Sequence, residues 1–370
     1  MKNVSIIGGG LAGLTTGLQL ARAGINVLLF EKKKYPFHRV CGEYISLETE
    51  GFLKSLLIYP GKFNPPIIKR LQLTSVNGKS AVLPLDMGGF GISRYSFDHF
   101  LFDRAKAEGV AIYEDCEVEA THFEDNQFTL KTAQKNFTTD VVIGSFGKRS
   151  KIDMQLGRSF IKKRSPYLGV KYHIQTDHEE DLIALHNFRG GYCGISNIEE
   201  GKANLCYLTH NDNLKRHQSI KEMEEHVLFR NPFLKSIFKN STFLFERPET
   251  INEISFETKN PVEDHMLMTG DAAGMITPLC GNGMAMAIRA SKIVSELAIK
   301  FCKDPSYNRL QLEADYTRAW ANQFAQRLWT GRQIQRLFGS EWTSNLAVNL
   351  ALHAKPVANF LISKTHGERF

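Results

Sequence analysis

The chain has 370 residues, 42% of them hydrophobic and 23% charged, with a net charge of +7. That length supports a large buried core and two or three structural units, and the composition excludes disorder as the dominant state. The basic excess contains no block of Lys and Arg interleaved with aromatics, so a solvated basic surface is expected and nucleic acid is not an expected partner.

Val4–Ile7 is a short apolar run with β-branched residues and predicts a buried parallel strand. Gly8, Gly10 and Gly13 then fit G-x-G-x-x-G. Leu14, Leu18 and Ala21 recur at helical spacing, Gly24 is a helix stop, and Asn26 to Phe30 reads as a second buried strand that ends at Glu31. Each part has a physical task. Gly8 permits the tight turn, Gly10 lets a pyrophosphate approach the backbone, and Gly13 lets helix and strand pack closely. Leu11 and Ala12 open the helix, whose free N–H groups and partial positive charge suit phosphates. Glu31 is placed to accept hydrogen bonds from ribose hydroxyls. A strand, this glycine spacing, a helix, and an acid closing the next strand together predict a dinucleotide site, NAD or FAD.

Further along, "YPFHRVCGEYIS" (35–46) places His38, Arg39 and Cys41 just after Glu31. "IKRLQLTSVNGKSAVLPL" carries Asn77-Gly78 as a hairpin signal. "ISRYSFDHFLFDRAKAEGV" predicts a helix after Arg94 with Phe97, Leu101 and Ala105 on its core face. "DVVIGSFGKRSKID" carries Gly144, Gly147 and Ser150. Residues 166–257 alternate apolar and polar positions between turn residues, as antiparallel strands do. "MLMTGDAAGMITPLCGNGMAMAIRA" (266–290) again reads as strand, glycine-rich loop and helix, with Asp271, Pro278, Gly281, Asn282 and Gly283 in the loop and the helix starting near Met284. Residues 309–363 are helical in pattern and hold Trp320, Trp329 and Trp342, which are expected in the core or in a lid.

The first and last of these motifs, in this order at opposite ends of the chain, resemble the FAD-dependent aromatic hydroxylases and geranylgeranyl reductases with the p-hydroxybenzoate hydroxylase-like fold. The resemblance implies FAD as cofactor and NAD(P)H as electron donor. It implies that Asp271 holds a ribityl hydroxyl, that Gly281 to Met284 present backbone N–H groups to the flavin pyrimidine edge, and that Arg94 lies by the diphosphate. Lys32, Arg39, Val118 and Pro278 complete the implied cofactor set. Phe146 stands where the family's middle motif carries an acid. Cys41 and Gly42 resemble the Cys-Gly loop of the geranylgeranyl reductases, which makes Cys41 the candidate catalytic residue, with an inert buried thiol as the alternative.

The expected fold is α/β: a Rossmann-type, glutathione reductase-like FAD-binding domain formed from 1–65, 94–165 and 258–308. An antiparallel substrate sheet is inserted from 66–93 and 166–257, and 309–370 form a C-terminal helical region. Six cysteines without a Cys-x-x-Cys pair give no zinc or dithiol centre, and no metal site is expected. No apolar run reaches the length of a membrane span, so a cytoplasmic protein is expected, with peripheral membrane contact left open. The expected activity is an FAD-dependent oxidoreductase acting on carbon–carbon bonds of a lipidic, isoprenoid or polyketide-like substrate. An aromatic hydroxylase and a non-catalytic flavoprotein are the alternatives. Paired tryptophans of the flavin halogenases are absent.

Overall fold

The structure is a computed structural model that describes residues 2–163, 165–252, 254–277, 281–335, 340–354, 356–358 and 367–370. Strand Asn3–Ile7 lies inside a six-stranded sheet. The spatial order is Val262–Glu263, Met266–Met268, Val141–Gly144, Asn3–Ile7, Asn26–Phe30, Ala111–Tyr113. All neighbours are parallel except the first pair. A parallel sheet is covered on both faces, which is why its strands read as unbroken apolar runs; Val4, Ile6, Leu29 and Val142 are fully buried. Helix Leu11–Arg22 packs on helices Arg94–Ala107 and Gly283–Lys303. Phe97, Leu101 and Ala105 enter the same core, as does a three-stranded meander, Val118–Glu124, Gln127–Thr132 and Asn136–Thr139.

A second sheet of nine strands gathers segments from both inserted stretches. Ile67–Thr74 and Ser80–Gly91 form the hairpin expected at Asn77-Gly78, with Gly78 at φ +85°. Leu182–Phe188, Gly191–Asn197, Ala203–His210 and Tyr167–Gln175 follow in antiparallel pairs. Two features differ from the sequence expectation. The join between the inserts, Leu182–Phe188 on Ile67–Thr74, is parallel, so the sheet is mixed. Turn residues specify hairpins and carry no information about strands that no hairpin connects. In addition, Tyr44–Ser46 leaves the cofactor region to pair with the edge of this sheet.

Side chains alternate across the sheet with period two. Val170, Tyr172 and Ile174 face a layer of helices, including Ile220–Val227 and Pro232–Asn240, through Met223, Leu228 and Leu234. Helix Glu341–His353 covers Leu73, Ala81 and Leu83 elsewhere on the sheet. Of the three tryptophans only Trp320 is buried; Trp329 and Trp342 are 58% and 74% exposed. Among the described residues, no helix is long and apolar enough to cross a membrane.

Candidate active site

The three motif glycines divide their work between packing and access. Gly8 sits at φ +106°, and a Cβ there would stand 2.5 Å from the Ser145 carbonyl oxygen. A Cβ on Gly13 would stand 2.0 Å from the Gly8 carbonyl oxygen. Both are closed by the protein itself. Gly10 is different: the nearest atom to its Cβ position is Arg94 Nη2 at 3.5 Å, and the space beyond belongs to a cavity of about 900 Å³.

That cavity brings together most of the sequence-derived site. Gly8, Gly10, Leu11, Ala12, Glu31 and Lys32 line it from the first motif, with Arg39, Arg94 and Val118 beside them. Asp271, Gly281, Gly283 and Met284 line it from the far motif, and Cys41 lies between the two sets. Two residues do not line it. Gly13 is enclosed by packing, and Asn282 is buried at the start of helix Gly283–Lys303 with Nδ2 3.5 Å from Glu48. Pro278 lies outside the described residues.

Acids and arginines alternate along the cofactor edge. Glu31 accepts hydrogen bonds from the Gly9 N–H at 2.9 Å, the Lys33 N–H at 3.1 Å and Arg39 at 3.0 Å. Arg39 also donates to Asp98 at 3.1 Å, and Asp98 receives both Nε and Nη2 of Arg94 at 2.7 Å. Asp98 is 2% exposed and orients both arginines. Its place four residues after Arg94 on a helix is the signal that would have found it.

Cys41 lies beside the Arg94 guanidinium, and its carbonyl accepts from Asn204 Nδ2 at 3.1 Å. Two residues on, the fully buried Glu43 meets Lys171 and His173 from strand Tyr167–Gln175. Burial pushes the Glu43 carboxyl up, but the Lys171 charge and the His173 hydrogen bond outweigh it and bring it down to about 2. Burial, helped by the Lys171 and His173 charges, lowers neighbouring His38 to about 4, so its imidazole is neutral near pH 7. Lys171 and His173 carry no local sequence signal, because a strand far along the chain brings them to Glu43.

These surroundings fit FAD. The polar atoms Tyr44 Oη and His38 Nδ1 are buried without a protein partner, and their residues line the cavity. They leave hydrogen-bonding capacity facing a polar ligand. The open backbone at Gly10 and the N-termini of two helices add donors for an anionic one. The cavity then continues into an arm of another character. Leu71, Leu73, Leu83, Leu85, Ile183 and Leu185 form its floor, and Ala347, Leu350 and Ala351 of helix Glu341–His353 form its roof.

The chain belongs to the FAD binding domain family, which matches residues 1–304. It is 24% identical over 416 aligned residues to the conditioned medium factor receptor 1 of Dictyostelium discoideum, covering 100% of this chain and 74% of that protein. It is 26% identical over 336 residues to the digeranylgeranylglycerophospholipid reductase of Methanosarcina acetivorans, covering 86% of this chain and 80% of the reductase. Among solved structures, a geranylgeranyl bacteriochlorophyll reductase-like protein of Thermoplasma acidophilum superimposes with a TM-score of 0.79 at 17% identity, covering 100% of this chain and 96% of that one. The protein is an FAD-dependent oxidoreductase of this family.

Proposed function

We propose that the enzyme reduces carbon–carbon double bonds of a lipidic, isoprenoid-like substrate, with NAD(P)H as electron donor. The observation that carries this reading is the apolar arm opening directly from the FAD site. Leucine and isoleucine side chains from Ile67–Thr74, Ser80–Gly91 and Leu182–Phe188, under alanines of helix Glu341–His353, suit a hydrocarbon chain and offer no charge to an aromatic acid. The reductase activity named for the Methanosarcina acetivorans relative agrees with it.

Bound FAD supplies two-electron transfer to or from carbon. The protein's own residues have the remaining work. The N–H groups of Leu11 and Ala12, with Arg94, would hold the pyrophosphate, and Glu31 would take the adenosine ribose. Asp271 would take the ribityl chain, and the backbone of Gly281, Gly283 and Met284 would offer N–H groups to the flavin. Lys32 and Val118 would complete the adenosine side. The apolar arm orients the substrate and excludes water. Cys41, on the cavity wall beside Arg94, would donate the proton that completes reduction.

The test is turnover under strict anaerobiosis. FAD-loaded enzyme reduced by NADH or NADPH is mixed with a geranylgeranyl lipid, and product mass is measured. A gain of two hydrogens without air supports the reading. Product that forms only after air is admitted, and carries labelled oxygen, replaces it with a hydroxylase.

A further inference from the structure

The substrate sheet presents a polar patch on its cofactor-facing side. Lys171 and His173 are two residues apart on one strand and share one face; in register, His173 lies opposite Asn204 on the neighbouring strand. All three reach the same loop. Lys171 Nζ donates to the Arg39 carbonyl oxygen at 3.1 Å and to Glu43 Oε1. His173 Nε2 lies 2.7 Å from Glu43 Oε2, and Asn204 donates to the Cys41 carbonyl oxygen. Lys171 and Glu43 are both fully inaccessible.

The loop needs holding. Glu43 adopts φ +54°, a conformation that a residue with a side chain occupies at a cost. In it the Glu43 carboxylate also accepts the backbone N–H of Arg94 at 2.7 Å, at the start of the helix that carries the diphosphate-side arginine. One carboxylate therefore joins the substrate sheet, the Cys41-Gly42 turn and the Arg94 helix.

We propose that Lys171 and His173 are positioning residues for the FAD site, acting through Glu43 to fix the Cys41-Gly42 turn and Arg94 from the substrate sheet. Removing one member of a buried ion pair strands the other, whereas removing both charges leaves little penalty. A variant without either charge therefore separates loss of the tether from the cost of a stranded charge. The role is independent of which substrate the cavity takes.

The experiment uses the full-length FAD-loaded protein and needs no substrate. Iodoacetamide alkylation is followed at each cysteine by peptide mass mapping, and FAD affinity by titration. In Lys171→Met, Cys41 alkylation should rise at least 5-fold and the Kd for FAD at least 10-fold, while Cys302, on helix Gly283–Lys303, keeps its wild-type rate. The double variant Glu43→Gln/Lys171→Met has no stranded charge and should regain stability to urea, but it also lacks the tether, so Cys41 alkylation and the Kd for FAD should stay raised. A folded Lys171→Met protein with wild-type Cys41 reactivity and FAD affinity overturns the proposal, as does a double variant in which both return to wild type. Should Lys171→Met fail to fold, His173→Phe keeps a ring against His38 and Phe245 and removes the bond to Glu43 Oε2. It should raise Cys41 alkylation at least 2-fold, and an unchanged rate overturns the proposal.

Discussion

At the glycine loop, backbone meets backbone: a Cβ on Gly13 would lie 2.0 Å from the Gly8 carbonyl oxygen, closer than any contact allows. In the apolar arm, side chain meets side chain, and Leu71, Leu83 and Ile183 line a surface that apolar residues of similar size would reproduce. Both regions belong to one cavity. The cofactor end tolerates almost no change of residue type because its shape is set by the absence of side chains. The substrate end tolerates much change because only its volume and polarity are specified. One family can therefore hold a common cofactor while its members differ in what they act on.

The largest expected effect breaks the first region alone. Gly10 has φ −87°, open to any residue, and its Cβ position is clear of protein atoms except Arg94 Nη2 at 3.5 Å. Gly10→Val should therefore fold and yet lose FAD, because its side chain fills the ground reserved for the pyrophosphate. The ratio of flavin to protein absorbance after gel filtration checks this, with circular dichroism as the test of folding. A yellow, folded variant would contradict the assignment. Gly13→Val, by contrast, should fail to fold, since the clash there is with the protein's own backbone.

The next effect falls on the second region. Leu71→Asn puts an unpaired amide into the apolar arm, at a cost of about 1–3 kcal/mol to a hydrocarbon bound there. That is a rise in KM of roughly 5- to 150-fold, with FAD content unchanged. Equal losses of FAD and substrate would mean that the arm and the cofactor site are not separable.

The same contrast explains what was legible in the sequence. Gly8, Gly10 and Gly13 announce themselves because a backbone requirement admits one residue type at a fixed spacing. The roles of Asp271 and the Gly281–Met284 stretch were read instead from the resemblance of the whole strand–loop–helix run to a known family. The apolar arm was legible only as strands: the alternation in 166–257 marks which residues are buried, not which of them border a cavity. Asp98 was hidden in a helix whose apolar face drew the attention, although its spacing from Arg94 is that of an ion pair. Lys171 and His173 lay beyond local reasoning, since only the register of a long-range sheet brings them to Glu43. The exposure of Trp329 and Trp342 was missed because a tryptophan count speaks for burial on average and not at a position.

The smallest effect concerns the side of the substrate sheet turned away from the cofactor. Glu224, on helix Ile220–Val227, is 5% exposed and accepts the hydroxyls of Tyr172 at 3.0 Å and Tyr207 at 2.7 Å. Burial raises its carboxyl from 4.5 to about 7, against the lowering effect of the two tyrosine hydrogen bonds. The folded protein thus binds this proton more tightly than the unfolded chain does. Below pH 4.5 both states carry the proton and the fold has the full benefit of a neutral buried group. Between 4.5 and about 7 that benefit is lost as the pH rises, and above 7 the fold carries a buried charge. Glu224→Gln keeps an oxygen acceptor for both tyrosines and has no proton to lose. It should match wild type near pH 4.5 and exceed it by about 1–3 kcal/mol at pH 8.5. Urea denaturation at the two pH values measures the difference, and curves that stay parallel would show that the carboxyl titrates as an exposed one. FAD affinity should be the same in both proteins at both pH values. Glu224 reaches from the helical layer to tyrosines on one face of the sheet, while Lys171 and His173 project from the opposite face to Glu43 at the cavity wall. The charge state of one face then tunes the stability of the sheet without altering the site the other face supports.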